Sequence, residues 1–400
     1  MNHQCVDVDR RMRVMFFVEG FTDIRFVKGL SEICDLTLVV PLRHYIVSGL
    51  KERIGLSNAK LKVVKIEGGR LGFQTRSLVY LWRQAKNFDV ILAQEVLRGA
   101  INANIVGTIK HVPVLTYMAI SPVEYYRCRY ERKQISWPKA IIGEMAIKAM
   151  MSINGRLATS CLVLGPYLVD ISSDYCKRNR QVLYFGVDTE FFKPIAKEET
   201  KKIREKLKLP SDKFIIFLSS RISHEKDPET VIRATAIARS RGLDAVVINL
   251  SGGYKEFLLL ANNLGFKNTE TWIYARPAAH PLIDLNEYYQ AADVVAQASL
   301  AEGLGLSPLE ALACGIPVVA TRVGGMSVHL DNYARMTPKG DPDAMAKEFV
   351  WIAANSETAR RQALVGREYV VREWNSRKAF KELQNIFNET VSENKSGKAL

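Results

Sequence analysis

The 400-residue chain has no long hydrophobic run. Its opening segment, MNHQCVDVDRRMRVMFFVEG, offers five consecutive apolar residues before Glu19, and nothing elsewhere approaches the ~20 that a membrane-spanning helix needs. The expectation is a cytoplasmic protein. Cysteine is scarce: the six, at 5, 34, 128, 161, 176 and 314, form no C-x-x-C pair and follow no regular spacing. That argues against a zinc site and against a disulfide framework, and predicts reduced, mostly buried thiols. No G-x-x-x-x-G-K-[ST] phosphate loop occurs, no repeat of solenoid length, and no recognised nucleic-acid module, so nucleic acid is not an expected partner.

What is present is an ordinary globular composition, 48% apolar and 24% charged, over a length that exceeds what one core usually serves. The net charge of +14 is lopsided. Residues 1–186 hold 27 Lys and Arg against 15 Asp and Glu, a balance of +12, which leaves +2 for the remainder. A basic half points to an anionic partner such as an acidic lipid surface or a phosphorylated substrate.

Short apolar runs alternate with stretches of helical spacing: RVMFFV then FTDIRFVKGLSEI, DVILA then EVLRGAINANIVGTI, KFIIFLSS then PETVIRATAIARSRG, DVVAQAS then PLEALACG. Strand, helix, strand at this interval predicts parallel βαβ units, hence an α/β fold of two doubly wound, Rossmann-like sheets. The division expected is 1–186 for an N-terminal domain and 187–375 for a C-terminal one. A C-terminal helix over 376–391 is expected to cross back to the first domain, and 392–400 to be a disordered tail.

Residues 301–325 read AEGLGLSPLEALACGIPVVATRVGG. The expected strand ends near Ser299, the loop AEGLGL follows, and a helix is expected from Pro308 with Ser307 as its N-cap and Gly315 as its stop. A glycine loop at the carboxyl end of a parallel strand, feeding a helix N-terminus, is where open α/β sheets bind anions such as a diphosphate. A plainer account is also open: Ser307-Pro-Leu-Glu310 reads as a capping box, and Glu302 as a solvated loop acid.

Glu302 and Glu310, separated by seven residues across that loop and followed by A-x-A-x-G-x-P-V-V-A-T, closely resemble the signature of the retaining GT-B glycosyltransferases called glycosyltransferase family 4. SSRISHEKD resembles the same family's strand-end Arg-x4-Lys, at Arg221 and Lys226. The resemblance covers roughly 181–330. It implies that Glu302 hydrogen-bonds the donor sugar, that Gly303, Leu304, Gly305, Leu306 and Ser307 offer backbone contacts to sugar and phosphate, and that Glu310 holds the ribose diol. Arg221 and Lys226 would clamp the nucleotide diphosphate, with retention of configuration and neither metal nor other cofactor. The implied partners are a nucleotide sugar and a glycan or lipid-linked acceptor, in cell-surface polysaccharide or glycolipid assembly. Two other readings stay open, a non-hydrolysing sugar-nucleotide epimerase on the same fold and a non-enzymatic membrane-surface protein.

The first half departs from the family pattern. The position of the family histidine is Ala119, and the glycine-rich acceptor-side loop is represented by Gly20 followed by Phe21. The segment SPVEYYRCRYERKQISWPKA interleaves Arg127, Arg129, Arg132, Lys133 and Lys139 with Tyr125, Tyr126, Tyr130 and Trp137, a mixture suited to an anionic membrane surface at the inner face. An amphipathic helix with a solvated basic face accounts for it equally.

Overall fold

The computed structural model describes residues 11–20, 22–47, 61–251, 253–277 and 281–396. Within them the short apolar runs become strands buried on both faces. Phe16 and Phe17 at the end of the first strand, and Ile216, Phe217 and Leu218 in the second half of the chain, are 0–1% exposed. Continuous burial rather than alternation is what a parallel sheet covered by helices requires.

The first sheet comprises β1 (Arg13–Phe17), β2 (Asp35–Pro41), β3 (Leu61–Ile66), β4 (Val90–Ala93), β5 (Val114–Met118), β6 (Ser160–Leu164) and β7 (Asn179–Val182). Their order is β3-β2-β1-β4-β5-β6-β7. The second comprises β8 (Phe214–Leu218), β9 (Ala245–Leu250), β10 (Ile273–Arg276), β11 (Val294–Gln297), β12 (Val318–Thr321) and β13 (Arg335–Thr337), in the order β10-β9-β8-β11-β12-β13. All pairs are parallel. Strand order reverses between β1 and β4 and again between β8 and β11. A ligand crevice is expected outside the carboxyl ends of the strands at each reversal.

The chain passes between the sheets twice at one place. Val187 bridges to Asn375, with Val187 N donating to the Trp374 carbonyl at 2.7 Å and Ser376 N donating to the Val187 carbonyl at 3.0 Å. Beyond it, the helix Ser376–Lys395 returns to the first domain, where the Phe380 ring fills the space that a side chain at Gly29 would need. The helix does not stop at 391 as expected. Arg180 pairs with Glu389 and, at 3.5 Å, with Glu393, while Asn394 donates to the His111 carbonyl at 3.2 Å. These contacts hold the last turn in register to Lys395; residues 397–400 lie outside the described ones.

The five described cysteines, 34, 128, 161, 176 and 314, are buried and unbridged. No described helix is long and apolar enough to cross a membrane.

Candidate active site

The glycine loop leaves β11 and enters the helix Leu306–Ala313 two residues earlier than the sequence suggests. Gly305 is the N-cap, at φ 84°, a left-handed conformation costly for any other residue here. Pro308 is tolerated in the first turn, where amide hydrogens have no partner inside the helix. Ser307 therefore sits inside the helix and the capping box does not form. At the other end Cys314 is the C-cap and Gly315 follows at φ 69°, the expected stop.

Glu302 is drawn in from the loop. Its Oε2 accepts from Ser299 Oγ at 3.1 Å and Gln297 Nε2 at 3.3 Å, and pairs with Lys226 Nζ at 2.5 Å. Both charged side chains are mostly covered, at 16% exposure for Lys226 and 12% for Glu302. Lys226 reaches this point because it follows β8, the strand adjacent to β11. Asp227 then caps the helix Pro228–Ser240 by accepting from Thr230 N. Arg221 behaves differently. It is 69% exposed and lies 3.6 Å from Glu225, so it stands at the rim and does not converge with Lys226 on Glu302. Four residues of loop separate it from Lys226, enough to turn the two side chains apart.

Glu310 is almost fully buried, and its carboxylate is taken by two groups that sequence reasoning missed. Tyr289 OH donates to Oε2 at 2.8 Å, and Arg25, from the first domain, pairs with Oε1. Arg25 is itself held by Asp23, Nη2 to Oδ2 at 2.8 Å, and lies over the Phe185 ring at 4.6 Å. Asp23 also caps the helix Ile24–Ile33 through the Arg25 amide. Nothing local marks Arg25 in FTDIRFV, because its partner is 285 residues away.

The two domains meet over the loop. A Cβ on Gly303 would collide with the carbonyl oxygen of Ala119, the position where the family carries histidine, so the loop packs flush against the first domain there. Leu304 is buried, while Leu306 and Ser307 are half-buried at the helix start. Gly324 and Gly325 support the loop from below: a side chain on either would strike the Glu302 or Gly303 carbonyl, and Gly325 N donates to the Glu302 carbonyl at 3.1 Å. His329, on the short helix after them, is buried against Trp374. Burial pulls its imidazole down to about 4, opposed by the Gly325 backbone and the Glu302 carboxylate.

Other pairs tie the domains together. Arg132 pairs with Asp227 and, at 3.4 Å, with Glu229; Lys339 pairs with Glu131 at 2.9 Å; His224 Nε2 lies 3.3 Å from the Tyr125 carbonyl oxygen. The basic segment is thus partly consumed by the protein. Arg132 is an interdomain tie, and Arg127 forms a two-pronged pair with Glu144 at 2.9 and 3.0 Å. Gly20 lies at the carboxyl end of β1 beside Glu95, and Phe21 lies outside the described residues. The chain contains two Asp-x-Asp pairs. Asp341 caps a helix by accepting from Ala344 N at 2.9 Å while Asp343 pairs with Arg241 at 2.5 Å; Asp7 and Asp9 lie outside the described residues.

Residues 199–368, which carry the loop, both glutamates and both cations, match the family model described as glycosyl transferases group 1. The likeness to group 1 glycosyltransferases is carried by this segment, less than half of the chain. Its similarity to the D-inositol 3-phosphate glycosyltransferase of Arthrobacter sp. (strain FB24) is 36% identity over 36% of this chain and 34% of the relative. To that of Saccharomonospora viridis it is 31% over 52% of this chain and 49% of the relative. The matched region thus spans no more than about half of these curated relatives. Two solved structures share the fold over nearly their whole length. Anabaena HepE in complex with UDP-glucose gives a TM-score of 0.74 at 16% identity, covering 95% of this chain and 99% of that one. The sucrose-phosphate synthase of Thermosynechococcus elongatus gives 0.72 at 18%, covering 96% and 100%. The architecture of the chain is GT-B, two Rossmann-like domains facing one crevice.

Proposed function

We propose that the chain moves a sugar from a nucleotide-sugar donor to a glycan or lipid-linked acceptor, with retention and without a divalent metal, in the assembly of a cell-surface polysaccharide or glycolipid. The observation that carries this reading is the Lys226–Glu302 pair, seated under a glycine loop that abuts the other domain. Transfer leaves C1 of the donor oxocarbenium-like while negative charge grows on the departing diphosphate, so fixed positive charge is the main requirement. Lys226 and the open amides at the start of the helix Leu306–Ala313 supply it, with Arg221 at the rim as a second cation. Glu302, anchored by Lys226, Ser299 and Gln297, orients sugar hydroxyls. Glu310 receives the ribose diol in place of Arg25. The UDP-glucose complex of HepE and the phosphorylated acceptor in the name of the Arthrobacter relative agree with this assignment.

A peripheral position on an anionic inner-membrane face is supported by the helix Trp137–Leu157, which exposes Trp137, Ile141, Ile142 and Met145 on one side beside Lys139 and Lys148. Apolar side chains flanked by lysines suit a headgroup layer.

Thermal unfolding against a panel of nucleotide sugars tests the donor assignment, since a ligand of the native state raises the midpoint. Product analysis with and without acceptor then separates transfer from epimerisation. Absence of any stabilisation would favour a non-enzymatic surface protein.

A further inference from the structure

Lys226 sits in a loop that the other domain braces. The helix Pro122–Glu131 of the first domain meets the loop after β8 on both sides of that lysine. Before it, His224 Nε2 lies 3.3 Å from the Tyr125 carbonyl oxygen, and the Tyr125 and His224 rings meet edge-on with centroids 4.8 Å apart. After it, Arg132, the C-cap of the same helix, pairs with Asp227. Both grips come from one helix, so they engage and release together.

Asp227 adopts a left-handed φ of 47°, uncommon for a residue with a side chain, and its carboxylate is 2% exposed. Such a conformation persists where the surroundings over-determine it. Two of the determinants are local: Thr230 N and Thr230 Oγ1 donate to the carboxylate at 3.3 and 2.7 Å. The third, Arg132, supplies the positive charge and comes from the other domain. Without it a covered carboxylate would have no cation beside it, a state relieved by turning the acid to solvent and relaxing the turn. On the other flank of Lys226, its own amide donates to the Ser223 carbonyl at 3.1 Å. The lysine therefore reaches Glu302 from a backbone fixed on both sides, and one of the two fixings depends on a first-domain arginine.

We propose that Arg132 is a positioning residue: by holding Asp227 in its left-handed turn from across the crevice, it sets Lys226 against the diphosphate of the donor. The leaving-group cation is then in place only while the two domains are docked. The inference rests on the function proposed above, in which Lys226 meets that diphosphate; Arg132 itself touches no substrate. Its neighbour Glu131 provides the comparison. Glu131 pairs with Lys339 at 2.9 Å, a tie between the same two domains that involves neither Asp227 nor the loop of Lys226.

Calorimetry on the full chain uses UDP, GDP and ADP, each beside its monophosphate, and carries the tightest diphosphate forward. The monophosphate lacks the terminal phosphate, so the ratio of the two affinities reads the placement of Lys226 and not the general soundness of the fold. Arg132→Ala loses about tenfold in diphosphate affinity and less than about threefold in monophosphate affinity, as expected for a displaced charge-assisted bond, and Arg132→Lys recovers part of the loss. In a Lys226→Ala background Arg132→Ala adds less than about threefold, because residues that act through one group are not additive. Arg132→Gln, which keeps a donor without the charge, takes over if the alanine variant does not fold, with the same pattern at about threefold or more. Lys339→Ala leaves the ratio unchanged. Equal losses for the two nucleotides, full additivity with Lys226→Ala, or the same change of ratio in Lys339→Ala overturns the inference and leaves the transferase reading standing. A chain that binds none of the three diphosphates sinks the transferase reading, and the inference with it.

Discussion

Arg25 and Glu310 form an ion pair across the crevice, one partner from each domain, on the carboxylate that the family resemblance assigns to the nucleotide ribose. That carboxylate is therefore satisfied within the protein. Arg25→Ala leaves a buried acid unpaired and is expected to cost roughly 3 kcal/mol of stability. It also removes a competitor, so affinity for a nucleoside diphosphate is retained or increased, while Glu310→Ala lowers it about tenfold or more. Thermal unfolding with calorimetry on both variants checks the contrast; equal loss of nucleotide affinity in the two would show that Arg25 is a ligand contact instead.

The two cations are expected to be unequal. Lys226 is covered and bound to Glu302, so Lys226→Ala slows transfer about ten- to a hundredfold, whereas Arg221→Ala, at the solvated rim, costs less than about tenfold. Transfer survives EDTA. Activity abolished by chelation and restored by a divalent ion would refute the metal-free assignment.

Gly303→Ala is a steric test of the interdomain seam. The added methyl meets the Ala119 carbonyl, so either the loop shifts or the domains part. Transfer falls at least about tenfold with the melting temperature of the second domain little changed. Wild-type activity in this variant would mean that catalysis does not use the seam as described.

The pH dependence of stability follows from His329. Its folded-state value is about 4 against an ordinary 6.5, so the unfolded chain takes up a proton first and stability is lost as pH falls from 6.5 towards 4. The loss reaches about 1.4 kcal/mol per pH unit from this group alone. His329→Gln flattens that part of the profile. Urea unfolding at pH 7.5, 6 and 5 measures the difference between the two proteins.

Membrane attachment, if it runs through the first domain, uses apolar side chains more than the arginines at 127 and 132, which are already paired. Trp137→Ser with Ile142→Ser releases the protein from anionic vesicles in sedimentation at low salt, while Arg127→Gln has little effect. Wild-type protein left in the supernatant would end the membrane reading.

Most of the second domain was legible because its information is local. An apolar run such as FIIFL declares a buried strand, and Glu302 and Glu310 about a glycine loop carry the family resemblance that implies a site. The helix start differs from the expectation because the choice between Ser307 and Gly305 as cap depends on the positive φ of Gly305, where Met326 packs so closely that a Cβ would not fit. Arg25 and Tyr289 were invisible for a different reason. Each is an unremarkable residue in its own element, and acquires meaning only where two sheet ends or two domains are brought together.

The return of the helix Ser376–Lys395 has a consequence for biosynthesis. The first domain is missing a packing element over Gly29 until residues beyond 375 have been made, so on the ribosome the amino-terminal sheet must wait, incompletely covered, while the whole second domain is synthesised. The domain that starts first finishes last, and its exposed apolar face in the interval is where assistance from chaperones would act.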